Sequence, residues 1–148
     1  MCWHLHSLIT RIMRCVKRCI MKHIVLIEDD TGIREIFDIL LQENYRVTGS
    51  ENGNAILAGL SFIPDLFIID YRLPGYSGVE LCRYIKNHAQ FSHVPVLMTS
   101  ATVDIARAAM AAGADEFINK PFSIDYIRDR VDFYTGRSTW VSKELSGC

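Results

Sequence analysis

Apolar and polar residues along this chain fall into blocks whose period switches repeatedly between that of a strand and that of a helix. His23-Ile24-Val25-Leu26-Ile27 is a short, almost continuously apolar and β-branched run, the pattern of a strand buried on both faces. Thr31 to Gln42 then carries Ile33, Ile36, Phe37, Ile39, Leu40 and Leu41 at helical spacing. Tyr45 to Gly49 predicts a second strand, polar enough for a sheet edge, and Gly53 to Leu60 a second helix. Pro64-Asp65 introduces Leu66-Phe67-Ile68-Ile69, the most apolar run and therefore a central strand. Ser77 to Asn87 predicts a third helix, Val94 to Met98 a fourth strand and Val103 to Ala112 an Ala-rich fourth helix. Glu116 to Asn119 predicts a fifth strand and Ser123 to Tyr134 a closing helix. A βα unit repeated five times with short connections requires a parallel sheet covered by helices on both faces.

These elements place one α/β domain at residues 21–134, followed by a short tail from Thr135 to Cys148 that lacks the length of an effector domain. The first twenty residues stand apart. They place Leu5, Leu8, Ile9, Ile12, Val16 and Ile20 at helical spacing, with Arg11, Arg14, Lys17 and Arg18 between them and no acid. The simpler expectation is an unstructured extension or a start codon upstream of Met21. The sharper one is a basic amphipathic helix that touches a membrane surface or a partner. Charges interrupt every apolar run well short of the ~20 residues a spanning helix needs, and no apolar h-region of a secretory signal is present.

Composition changes this picture little, charge somewhat more. Of 148 residues 49% are hydrophobic and 22% charged, a globular balance. The net charge of −1 is the sum of +4 in residues 1–20 and −5 in the rest, so the body has no basic footprint for nucleic acid. Five cysteines, an odd number with no CxxC pair, suggest free thiols in a reduced, cytoplasmic setting.

In an open α/β sheet ligands bind beyond the carboxyl ends of the strands. There the sequence places Glu28, Asp29 and Asp30 after the first strand and Asp70 after the third. Thr99 and Ser100 follow the fourth, and Lys120-Pro121 the fifth. Converging carboxylates repel unless a cation compensates them, and hard oxygen donors suit Mg²⁺ or Mn²⁺. A divalent cation, a lysine and a hydroxyl around one carboxylate are what phosphoryl transfer to that carboxylate needs, since charge develops on the phosphoryl oxygens.

The blocks Ile27-Glu28-Asp29-Asp30, Pro64 through Asp70 to Gly78, Ser100-Ala101, Ala112-Gly113-Ala114-Asp115 and Lys120-Pro121-Phe122 resemble the signature segments of bacterial response-regulator receiver domains. The resemblance covers about residues 21–134. It implies the flavodoxin-like strand order 2-1-3-4-5, which the handed βα pattern alone does not fix. It makes Asp70 the phosphoacceptor, Asp29 the direct Mg²⁺ ligand with Glu28 as its partner, and the Arg72 carbonyl a further ligand. It makes Lys120 the contact to the phosphoryl oxygens, Ser100 the switch hydroxyl and Phe117 the aromatic switch, with a cis peptide before Pro121. It further implies a sensor histidine kinase or histidine phosphotransferase as phosphoryl donor, a downstream effector protein as receiver of the signal, and no catalysis on a diffusible substrate. Thr99 beside Ser100 leaves the hydroxyl open by one position, and the stretch from Ser100 to Lys120 is slightly shorter than usual in the family.

Other readings of the same residues are weaker. Asp30 is an N-cap for the first helix; His23, His88 and His93 lack metal-ligand spacing and are expected to be structural. A haloacid-dehalogenase-type phosphohydrolase needs a DxD after the first strand, where this chain has Glu28-Asp29-Asp30. A degenerate receiver acting only as a binding module would not be expected to keep Asp29, Asp70 and Lys120 together. A flavodoxin-like electron carrier needs a phosphate-cradling loop that the chain lacks.

Overall fold

A computed structural model describes residues 7–13 and 21–137. Five strands, β1 (His23–Ile27), β2 (Arg46–Ser50), β3 (Leu66–Asp70), β4 (Val96–Ser100) and β5 (Glu116–Asn119), form one parallel sheet in the order β2-β1-β3-β4-β5. The helices are α1 (Thr31–Leu41), α2 (Asn54–Leu57), α3 (Gly78–Asn87), α4 (Ala106–Ala111, after a 3-10 turn at Val103–Ile105) and α5 (Ile124–Thr135). The expected order 2-1-3-4-5 is therefore the observed one, with polar β2 at an edge and apolar β3 in the centre.

Alternation along each strand divides the core in two. Val25, Ile27, Phe67, Ile69, Val96 and Met98 point to one face, where Leu81, Cys82 and Ile85 of α3 and Ala109 of α4 cover them. Ile24, Leu26, Leu66, Ile68, Leu97 and Ile118 point to the other, under Phe37 and Leu41 of α1 and Ile127 and Val131 of α5. β1, β3 and β4 are buried along their whole length. Each large aliphatic so placed contributes about 1.5–3 kcal/mol of transfer free energy.

Several boundaries differ from those read off the pattern, each for a local reason. Tyr45 does not open β2, because its N–H still closes α1 onto the Leu41 carbonyl (2.9 Å). α2 ends well before Leu60 because Gly59 adopts a φ of 94°, the left-handed conformation that stops a helix. Val94 and Pro95 precede β4: the Val94 N–H closes a turn onto Phe91, and Pro95 has no N–H to give. The fourth helix begins as a 3-10 turn and ends where Gly113 takes a φ of 97°. Asp70, Thr99 and Ser100, expected just beyond their strands, are their last residues. The ladder continues past them through Tyr71 N–H to the Thr99 carbonyl (2.9 Å) and Lys120 N–H to the Ser100 carbonyl (2.8 Å).

Outside the domain, residues 7–13 are helical, and Leu8, Ile9, Ile12 and Met13 are each more than half exposed. The rest of the expected extension and the end of the tail lie outside the described residues. Among the described residues no helix is long and apolar enough to cross a membrane. Cys82 is buried with a free thiol, which burial pushes up to about 11.

Candidate functional site

The carboxyl ends of β1, β3 and β5 each deliver one charged group to the same place. Glu28 and Asp70 are nearly inaccessible, at 2% and 5% exposure, because each directly prolongs a buried strand. Lys120 leaves the end of β5 and reaches both: its Nζ donates to Glu28 Oε2 at 2.7 Å and to Asp70 Oδ1 at 2.6 Å. The peptide bond between Lys120 and Pro121 is cis, as expected. The second Asp70 oxygen, Oδ2, accepts the Arg72 N–H at 2.7 Å, so the turn after β3 wraps back onto the carboxylate that starts it.

Asp29 is exposed, and its carboxylate lies with those of Glu28 and Asp70 in a cluster whose ligand atoms are all within 4.8 Å of one another. Asp30 does not join this cluster. Its Oδ1 accepts the Ile33 N–H at 2.9 Å, which makes it the N-cap of α1 as the sequence suggested. Arg34, one turn into α1, donates to the Glu28 carbonyl and, at 2.9 Å, to the Asp29 carbonyl. This pins the backbone between the two acids. The role of Arg34 was not legible in the sequence, since six residues of separation correspond to no recognised pairing motif and only the folded turn brings the guanidinium back.

The electrostatics of the cluster are incomplete. Burial raises the Glu28 carboxyl above its ordinary range, and the hydrogen bond and charge of Lys120 do not fully reverse this. Burial would lower the Lys120 ammonium, but hydrogen bonds to Asp70 and Glu28 outweigh it and hold the group above its ordinary range. One cation shared between two buried acids is thus held charged, while Glu28 remains under-compensated. With Asp29 at the rim, three carboxyl groups face one lysine. Hard, anionic oxygens with residual negative charge and an open side at Asp29 fit a small divalent cation.

The hydroxyl and aromatic positions lie on defined sides of the sheet. Thr99 pairs in register with Asp70, whereas Ser100 continues the face of Val96 and Met98, the face onto which Phe117 packs. Ser100 and Phe117 therefore share a face, and Thr99 has the parity of Asp70. Ser100 Oγ accepts the Thr102 N–H at 3.0 Å, tying the start of the β4–α4 loop to the strand end. Phe117 is half-buried. The turn from β3 to α3 is closed by Gly78, whose N–H donates to the Tyr71 carbonyl at 2.8 Å. Ser77 and Glu80 form a reciprocal capping box at the start of α3. Two of the three histidines set aside as structural pack accordingly: His23 stacks on Phe62 and bonds Thr48 Oγ1 at 2.7 Å, and His88 stacks on Phe91, whereas His93 is exposed.

Comparison with known proteins gives one consistent result. A model of the response regulator receiver domain matches residues 24–132. The transcriptional regulatory protein CseB of Streptomyces coelicolor is 38% identical over 107 residues, which are 68% of this chain and 43% of the relative. The sensory transduction protein BceR of Halalkalibacterium halodurans is 38% identical over 131 residues, 80% of this chain and 55% of the relative. This chain thus spans about half the length of such relatives. Among solved structures, the response regulator TrrA of Thermotoga maritima, in complex with Mg²⁺ and a beryllofluoride, superposes with a TM-score of 0.69 at 29% identity. That match covers 77% of this chain and 99% of TrrA. With the 2-1-3-4-5 sheet and the acid–lysine cluster at its carboxyl edge, this match over most of the chain shows that the protein belongs to the response regulator receiver domain family.

Proposed function

We propose that this domain accepts a phosphoryl group on Asp70 and signals by a phosphorylation-dependent change of surface. The observation that carries this reading is the position of Lys120, whose ammonium is 2.6 Å from one oxygen of a carboxylate almost withdrawn from solvent. Asp70 Oδ1 is the nucleophile: it attacks phosphorus as the bond from phosphorus to the donor's imidazole nitrogen breaks, and the imidazole leaves with the electron pair and takes up a proton. Lys120 then follows the negative charge from the carboxylate to the phosphoryl oxygens. Glu28, Asp29 and Asp70, with the Arg72 carbonyl, would hold Mg²⁺ or Mn²⁺, which when bound supplies charge neutralisation at the phosphoryl group. Magnesium in the TrrA complex and the under-compensated acid cluster here support this ligand set.

Ser100 is the proposed switch hydroxyl and Phe117 the ring that follows it. Their shared face supports this choice over Thr99. The donor is a sensor histidine kinase or a histidine phosphotransferase, and the signal passes by protein contact to an effector. Direct DNA contact by this domain is not part of the proposal, given the −5 charge outside residues 1–20. Nor is turnover of a diffusible substrate, since the acids after β1 lack the DxD of aspartyl-phosphate hydrolases. The setting proposed is cytoplasmic, where phosphoryl donors are made.

The test is labelling with a small phosphodonor, read by intact mass and peptide mapping. One phosphoryl group on Asp70, dependent on Mg²⁺, is expected. Asp29→Ala should weaken Mg²⁺ binding more than tenfold, whereas Asp30→Ala should leave it intact and cost only a cap, about 1 kcal/mol. Equal metal affinity in the wild type and Asp29→Ala would refute the ligand assignment.

A further inference from the structure

Of the three clustered acids, Asp29 alone has no side-chain partner among the described residues. Glu28 and Asp70 prolong buried strands and share Lys120, whereas Asp29 is exposed and its carboxylate accepts no hydrogen bond there. What aims it at the cluster is its backbone. The direction of the Asp29 Cα–Cβ bond is set by the two peptide planes that flank it, each of which turns as a rigid unit. One plane carries the Glu28 carbonyl and the other the Asp29 carbonyl, and a single nitrogen, Arg34 Nη1, donates to both. Arg34 is itself held: its Nη2 donates to Thr31 Oγ1 at 3.0 Å. Its stem crosses β2 where Gly49 has no side chain, so close that a Cβ there would lie 3.6 Å from Arg34 Cδ. The outer ends of the turn are tied elsewhere, Glu28 N–H to the Ser50 carbonyl at 3.0 Å and Asp30 Oδ1 to the Ile33 N–H at 2.9 Å. The two planes beside Asp29 are left to Arg34.

We infer that Arg34 is a positioning residue for the cation site: by holding both peptide planes beside Asp29, it aims that carboxylate at Glu28 and Asp70 before a cation binds. The inference rests on the proposed Mg²⁺ or Mn²⁺ site and extends it to a residue outside the ligand set. Residues that orient ligands without touching the metal typically change its affinity by about 10–100-fold. Two influences of Arg34 have opposite sign. Its positive charge repels a dication, so on charge alone its removal would tighten binding. Its geometry preorganises Asp29, so on geometry its removal would loosen binding, because the cation would then have to order the turn. Two carbonyl oxygens and a hydroxyl take charge-assisted hydrogen bonds from the guanidinium, which spreads and screens its charge and leaves the geometric influence the larger.

The experiment is calorimetric titration of the full chain with Mn²⁺ in the wild type, Arg34→Gln, Asp29→Ala and the double variant. Urea midpoints without metal, and phosphodonor labelling of Asp70 over a range of Mg²⁺, accompany it. Arg34→Gln should weaken Mn²⁺ binding about tenfold in the wild-type background. In the Asp29→Ala background the same change should cost less than about twofold, because Arg34 acts through Asp29. Labelling of Arg34→Gln should need about tenfold more Mg²⁺ yet reach the wild-type rate at saturation, since β3 and β5 hold Asp70 and Lys120. Arg34→Lys keeps a charge without the planar fork; it should change in the same direction, and it carries the test if the Gln variant fails to fold. Unchanged or tighter Mn²⁺ binding in Arg34→Gln, an equal loss with and without Asp29, or a labelling defect that persists at saturating Mg²⁺ would each overturn the inference. So would a wild type that binds no Mn²⁺. A wild type that binds Mn²⁺ but does not label on Asp70 would refute the phosphoacceptor reading instead, and the titrations would still decide the role of Arg34.

Discussion

The two edges of this sheet use the same kinds of charged side chain to opposite ends. At the amino edge each acid has a lysine and a backbone donor to itself. Asp65 Oδ1 meets Lys22 Nζ at 3.0 Å while its Oδ2 accepts the His23 N–H at 2.8 Å. Asp115 Oδ2 accepts from Lys86 Nζ at 2.7 Å and from the Val96 N–H at 2.8 Å. These acids tie the loops that precede β3 and β5 to the first residues of β1 and β4. At the carboxyl edge the ratio is inverted: Glu28 and Asp70 share Lys120, and Asp29 stands beside them. The amino edge is closed and holds the strands in place. The carboxyl edge is left short of positive charge, and under the proposed function that deficit would give it affinity for a cation and reactivity toward a phosphoryl group.

The comparison can be broken first at Asp70. Asp70→Asn should abolish phosphodonor labelling completely, yet the urea midpoint should stay level or rise, because the change removes one of two acids competing for Lys120. A large loss of stability would show that the carboxyl edge is structural after all. The converse substitution, Asp115→Ala, should leave labelling intact and destabilise by about 2 kcal/mol, the loss of charge-assisted hydrogen bonds to Val96 N–H and Lys86. Loss of labelling at full stability would erase the distinction between the edges.

The smallest expected effect is a pH dependence at the amino edge. Burial against Phe62, with a lesser push from the Arg46 charge, lowers the His23 imidazole, and the Asp65 charge opposes this only in part. Folding therefore favours neutral His23. Its contribution is complete above the unfolded imidazole range near 6.5 and is lost as pH falls below that range toward the lowered folded value. Urea midpoints measured from pH 7.5 down through 6 should decline, and His23→Gln should flatten that slope by its share. An unchanged slope would show that His23 does not titrate with folding.

Much of this was legible because strand and helix periods are local properties. β1 and β3 follow from runs that are almost or wholly apolar, the central placement of β3 from its being the most apolar, and the convergence of Asp70, Glu28 and Lys120 from where the strands end. What the pattern left out depends on contacts distant in sequence. Arg34 folds back over six residues to the Glu28 and Asp29 carbonyls, and Asp115 reaches across to Val96. Neither pairing has a period or a motif. α2 is shorter than its pattern predicts because Leu57 and Leu60 keep helical spacing past the point where Gly59 turns the backbone.

Gly78, which closes the turn beneath Asp70, bears on how such a domain can diverge. A Cβ there would lie 2.3 Å from the Asp70 carbonyl oxygen and 2.9 Å from the Tyr71 Cα, both main chain, so no neighbouring rotamer can make room for it. α3 therefore meets the end of β3 as backbone on backbone, with no side chain between them whose size could drift. Lineages can exchange the core residues on either face of the sheet and let the helices slide, but the approach of this helix to Asp70 is fixed by a hydrogen atom. Descent under selection for the site should hold position 78 at glycine, while Gly59 and Gly75, whose surroundings are open, are bound only by their backbone angles.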